Sequence, residues 1–185
     1  MGAYDIILVG GSAGSLLPVT TILEQLPGDL DIPVVIVLHR LKNVQSEMDR
    51  LLSVKKKIIE PEDKEKIVPG RIYLAPQNYH LITETDRTFM LDYSELVNFS
   101  RPSIDVTFNS VALAYESRTL AILLSGANKD GAEGLCNVQE KGGKAVVQDP
   151  ATAEFDVMPL AAINACTDVS VMNIEEIILH IKNNK

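Results

Sequence analysis

The chain has 185 residues, 46% of them hydrophobic, with 17 Lys plus Arg against 25 Asp plus Glu and a net charge of −8. The apolar content supports a packed core and excludes a disordered polypeptide. The acidic balance, with no basic stretch to offset it, excludes a nucleic-acid-binding surface.

At this length a single domain over residues 1–185 is the expected organisation. The short basic cluster Lys55-Lys56-Lys57 is followed by Glu60, Glu62 and Asp63 and reads as a solvated surface segment. No apolar stretch approaches the roughly 18–20 residues that span a bilayer. The first residues have neither a basic region nor a long apolar segment of the kind that directs export. Cys136 and Cys166 show no C-x-x-C or metal-ligand spacing and read as reduced thiols. A cytoplasmic protein without membrane insertion, bound metal or nucleic acid is expected.

Residues 4–9 read as a buried strand. Residues 15–26 carry Leu16, Leu17, Ile22, Leu23 and Leu26 at near-helical spacing and stop at Pro27-Gly28. Residues 33–38 form a second continuous apolar strand, as expected of a parallel sheet covered on both faces, and residues 45–52 a short helix. The middle changes character. Residues 58–59, 71–75, 79–83 and 88–92 read as short strands, with Asp86-Arg87 at a hairpin tip. They read as a β insertion, because ~40 residues is small for an independent core.

Helices and strands then alternate again. A helix over 102–115 bears Ile104, Phe108, Val111 and Tyr115, and a strand follows at 119–124. A helix over 129–141 ends at Gly142-Gly143, a strand covers 144–148, and helices cover 157–165 and 174–182. This order implies an α/β fold: a doubly wound, mostly parallel sheet with a small antiparallel β hairpin insertion. In such sheets the site lies at the carboxyl ends of the strands. Residues 10–14, 39–40 and 125–130 are then the places to look.

The turn "GGSAGS" after the first strand admits two chemistries. A dinucleotide-binding turn needs glycines at its first, third and sixth positions. Counting from Gly10, these fall on Ser12 and Ser15, and counting from Gly11 on Ala13 and Leu16, so neither frame fits. The second strand ends in His39-Arg40 rather than an acidic residue for ribose hydroxyls; Arg40 could meet only a 2′-phosphate. No cofactor is expected.

The other chemistry is nucleophilic. Gly10-Gly11-Ser12-Ala13-Gly14 matches G-x-S-x-G, in which small neighbours permit a tight strand-to-helix turn that presents a hydroxyl. Ser12 alone reads as well as a helix N-cap. His39, however, follows the second strand, and Asp130 sits in "SGANKDGAEGL" after a later strand. Ser, His and Asp at three strand ends of one sheet supply a nucleophile, a general base and an orienting carboxylate. Backbone N–H groups near Ala13 and around Ala127 are the candidate oxyanion donors. The order Ser, His, Asp differs from the Ser, Asp/Glu, His order of α/β-hydrolases.

Several segments together resemble the catalytic domain of the chemotaxis protein-glutamate methylesterases, the CheB family. They are "ILVGGSAGS", "VVIVLHR", "GRIYLAPQNYHL", "SRPSIDVTFNSVA", "LLSGANKDGAEGL" and "GGKAVVQDPATAEFDVMPLAAI", in order from about residue 4 to residue 180. The resemblance places the family's triad on Ser12, His39 and Asp130. It implies a cytoplasmic serine hydrolase that removes methyl groups from glutamyl esters of chemoreceptor helices and, in some members, deamidates glutamine.

Tyr79, His80, Arg101 and Asp105 lie in the family-like segments. His80 and Arg101 are the candidate substrate contacts, Arg101 because the receptor segment is expected to be acidic. The resembling segments begin at the catalytic strand, so the expected unit lacks an N-terminal receiver domain, and a separate receiver protein would be its regulator. Three departures touch the expected substrate environment. Ala13 stands where the family often has Thr, Gly126-Ala127-Asn128 replaces a common Gly-Met-Gly, and Arg40-Leu41 replaces Met-Pro. The competing expectation is a diverged, non-catalytic signalling module on the same fold.

Overall fold

A computed structural model describes residues 3–39 and 57–184. The expected helix over 45–52, Arg40, Lys55 and Lys56 lie outside the described residues. Nine strands are seen among them: β1 (Ile6–Gly11), β2 (Val34–Leu38), β3 (Ile58–Ile59), β4 (Ile72–Leu74), β5 (His80–Thr83), β6 (Phe89–Asp92), β7 (Thr119–Leu123), β8 (Lys144–Gln148) and β9 (Ser170–Met172). The described α-helices are α1 (Leu16–Gln25), α2 (Ile104–Tyr115), α3 (Ala132–Glu140), α4 (Val157–Ala165) and α5 (Ile174–Asn183).

Seven strands form one sheet in the order β3-β4-β2-β1-β7-β8-β9. All its pairings are parallel. The central strands are apolar at nearly every position because both faces are covered. Ile6 and Leu8 of β1, Val35 and Val37 of β2, and Ala121 and Leu123 of β7 face one layer, against Phe108 and Val111 of α2, Leu135 of α3 and Met158 of α4. The alternate residues Ile7, Val9, Val34, Ile36, Leu120 and Ile122 face the other layer, against Ile22 and Leu23 of α1 and Ile177 and Ile181 of α5. This is the expected doubly wound arrangement.

The middle region differs from the sequence reading. β3 and β4 are not part of an insertion; they continue the main sheet in parallel beside β2. Only β5 and β6 form the antiparallel hairpin, closed through Asp86-Arg87 as expected. Its inner residues Leu81 and Phe89 are buried with α2. Thr107 of α2 donates its hydroxyl proton to the Leu81 carbonyl at 2.8 Å, and Ser110 accepts the Thr83 N–H at 3.0 Å. The hairpin is thereby fixed to the helix that carries part of the site.

The two cysteines correct a second expectation. Cys136 of α3 and Cys166, which follows α4, are not free thiols but a disulfide, with Cα atoms 5.0 Å apart. Packing of α3 beside α4 brings them together across 30 residues of sequence, a pairing that spacing alone does not reveal. No described helix is long and apolar enough to cross a membrane.

Candidate active site

The parallel register puts three strand ends side by side. Gly11 of β1 pairs with Leu38 of β2, and Gly10 with Leu123 of β7. Ser12 and His39 therefore leave the sheet as neighbours. Both are pinned through the backbone: Ser12 donates its N–H to the Ser125 carbonyl at 3.0 Å, and His39 donates its own to Gly11 at 3.2 Å. The turn after β1 is closed on the Ser12 carbonyl, which accepts the Ser15 N–H at 3.1 Å and the Ser15 hydroxyl at 2.6 Å. Gly14 takes φ +75°, and a Cβ there would lie 2.6 Å from the Glu154 Cβ and 2.8 Å from the Ser125 Oγ. Only glycine fits this close, left-handed turn. The Ser12 hydroxyl makes no hydrogen bond to any described residue.

Asp130 is fully buried and collects five donors. Its Oδ2 accepts from His39 Nε2 at 2.8 Å and from the Ile104 N–H at 2.6 Å. Its Oδ1 accepts from the Ser103 hydroxyl at 2.8 Å, Asn98 Nδ2 at 3.0 Å and the Asp105 N–H at 3.2 Å. Ser103 is the N-cap of α2, and Ile104 and Asp105 begin its first turn. The carboxylate thus sits on a helix N-terminus, where unpaired N–H groups and the helix dipole favour an anion. Burial on its own would raise the carboxyl's pKa. The hydrogen bonds from His39, Asn98, Ile104 and Ser103 outweigh it and hold the group down at about 2.

An ionised Asp130 can only accept, so His39 carries its proton on Nε2 and Nδ1 is the basic nitrogen. Around Nδ1 stand Ser100 Oγ and Asn128 Nδ2, each at 3.4 Å. The ring's side chain is 12% exposed, so one edge still faces solvent.

The position of Asp130 depends on the glycine after it. Gly131 is the N-cap of α3 with φ +92°. A Cβ there would come within 2.6 Å of Leu123 Cδ1 and 2.7 Å of Ile104 Cγ2. The left-handed backbone and the overpacking together predict that Gly131→Ala loses about 2–4 kcal/mol. A lowered midpoint in urea denaturation at unchanged slope is the expected reading, and a midpoint equal to that of the wild type would contradict it.

The family model for CheB methylesterase matches residues 7–181. The chain belongs to the CheB methylesterase family. A Leptospira interrogans protein, provisionally named a protein-glutamate methylesterase/protein-glutamine glutaminase, is 47% identical over 176 residues, covering 94% of this chain and 91% of that protein. The Thermotoga maritima protein-glutamate methylesterase/protein-glutamine glutaminase is 32% identical over 165 residues, covering 85% of this chain but 47% of that longer protein. The crystal structure of the Thermotoga maritima CheB methylesterase catalytic domain superposes with a TM-score of 0.87 at 30% identity, covering 97% of this chain and 98% of that one.

The remaining candidate site residues fall into two groups. Ala13 and Ala127 flank the Ser12 turn and the loop after β7. The Ala13 carbonyl accepts the Ser125 hydroxyl at 2.8 Å, and Ala127 is exposed. Neither amide N–H is taken by a described residue. His80 and Arg101 are both held by contacts within the protein. His80 is 1% exposed. It accepts the Ser103 N–H on Nδ1 at 3.2 Å and donates from Nε2 to the Glu95 carbonyl at 2.9 Å, so both nitrogens serve the fold. Arg101 stacks on the Tyr93 ring at 3.9 Å and donates to the Tyr93 and Ser94 carbonyls, which ties it to the loop after β6. The sequence reading missed Asn98, Ser100 and Ser103, all of which reach His39 or Asp130. Only Ser103 left a readable signal, as a serine immediately before an amphipathic helix.

Proposed function

We propose that this chain is a cytoplasmic protein-glutamate methylesterase in which Ser12 is the nucleophile, His39 the general base and Asp130 the carboxylate that orients it. The observation that carries the reading is the His39–Asp130 hydrogen bond of 2.8 Å at the carboxyl end of strands adjoining the Ser12 turn. It fixes the ring with Nδ1 available to take a proton. Ser12 Oγ attacks the ester carbonyl as Nδ1 accepts its proton, and the Asp130 charge stabilises the imidazolium. The Ala13 and Ala127 N–H groups receive the oxyanion. Methoxide leaves as methanol with the proton from His39. Water, deprotonated by the same nitrogen, then cleaves the acyl-enzyme to glutamate and free serine. The same steps on a glutamine side chain would release ammonia.

The substrates we propose are the cytoplasmic helices of methyl-accepting chemoreceptors, with a separate receiver protein as regulator. Exposed Tyr93, Leu96 and Phe99 share a loop with Asn98 and Ser100 and give the site an apolar rim suited to a helix. The test is methanol release from a methylated receptor fragment together with labelling by a serine-directed phosphonate. Release with label on Ser12 is expected. Failure of both would favour the non-catalytic signalling module.

A further inference from the structure

Asp105 is a buried carboxylate that the reaction above does not use. It lies in the first turn of α2, 5% exposed. Its Oδ1 does not serve its own helix; it accepts the Gly134 N–H of α3 at 2.7 Å. The N-cap of α3 is Gly131, which has no side chain to do this. Asp130 makes the reciprocal contact, standing just before α3 and accepting the Ile104 and Asp105 N–H groups of α2. Each helix start is thus capped by an aspartate from the other. The two carboxylates also share a donor. Asn98 Nδ2 donates one hydrogen to Asp105 Oδ2 at 2.7 Å and the other to Asp130 Oδ1 at 3.0 Å.

We infer that Asp105 is a positioning residue for the hydrolysis: the exchanged caps and the Asn98 bridge fix the Asp130 carboxylate, and through it the His39 ring, in the orientation that proton transfer needs. The inference rests on the methylesterase reading. The titratable groups facing Asp105 are Asp130 and Glu133, with His39 on the far side of Asp130. Burial pushes its carboxyl up to about 6; the Asp130 and Glu133 charges add to this, and the Gly134 N–H opposes it. As pH falls past that value, Asp105 takes up a proton beside Asp130. The caps and the bridge then change together.

Asp105→Asn tests this. The asparagine oxygen can accept from Gly134 or from Asn98 but its NH₂ must face the other donor, so either the cap or the bridge is broken at near-constant shape. Expected is a fall in kcat on the order of 10- to 100-fold, the scale of a small misplacement of a catalytic group, with KM within about twofold. The acid limb of kcat/KM is expected to be less steep in the variant, which has lost the Asp105 ionisation. A merely structural role would leave that steepness unchanged. Asn98→Gly, which leaves the Gly134 cap in place, is expected to lower kcat similarly. In both variants the downfield proton resonance of the His39 N–H hydrogen-bonded to Asp130 should shift or broaden; this readout does not require turnover. Unchanged kcat and limb shape in Asp105→Asn, or an unmoved resonance in both variants, would overturn the inference. A wild-type protein without esterase activity but with the resonance shift would overturn the methylesterase reading alone.

Discussion

Ser12→Ala should lower methyl-ester hydrolysis by about 10⁴–10⁶, the range found when a serine nucleophile acting with a histidine base is removed. The size follows from the roles proposed. Without Oγ there is no acyl-enzyme, and His39 has no positioned hydroxyl to deprotonate. Little structural penalty is expected, because the turn is held by the Ser12 backbone and by Ser15, not by the Ser12 hydroxyl. Comparison of kcat/KM for methanol release at matched thermal midpoints checks it. A variant that keeps a tenth or more of the wild-type rate would remove Ser12 from the reaction.

Asp130→Asn should be nearly as damaging, with turnover lower by roughly 10⁴, the loss seen when a triad aspartate is made neutral and the histidine tautomer is no longer enforced. Here the change also reaches the fold. The amide's NH₂ must take the place of Oδ2, with its two donors, or of Oδ1, with its three, at a cost of at least about 2–3 kcal/mol. The pH dependence has a fixed sign. The folded carboxyl is depressed from 3.8 to about 2. Its stabilising contribution is therefore complete above the unfolded value and is lost as pH falls through the folded one. The stability gap between wild type and Asp130→Asn should be widest above pH 4 and narrow towards pH 2. Urea midpoints across that range measure it, and a gap that stayed constant would refute the assigned ionisation.

The parts of the fold that were legible are those written as patterns along the chain. β1, β2 and β7 are uninterrupted apolar runs, and their parallel order brings the chain out of the sheet at Ser12 and His39 as neighbours. The hairpin was legible from Asp86-Arg87 between two alternating runs. β9 was not, because Ser170–Met172 is three residues long and half exposed, with no apolar run to mark it. β3 and β4 were found but misassigned, since a short strand does not declare its partner. Within the site, residue types were readable and side-chain directions were not. His80 has the composition of a cleft residue, yet its ring fills the space between Ser103 and Glu95. Arg101 has the charge to bind an acidic helix, and its stack on Tyr93 is a contact that sequence does not show. Which nitrogen of His39 faces Asp130 is settled by a contact between side chains 91 residues apart in sequence.

The central place of β1 also matters during synthesis. It pairs with β2 on one edge and with β7 on the other, and β7 is made about a hundred residues later. Until then the growing chain displays "IILVGG" with one row of backbone donors and acceptors open. An apolar strand with a free edge is a template for pairing with another chain. The nascent protein is therefore most exposed to self-association before residue 123 leaves the ribosome, and completing β7 at once closes that edge and brings Asp130 towards His39.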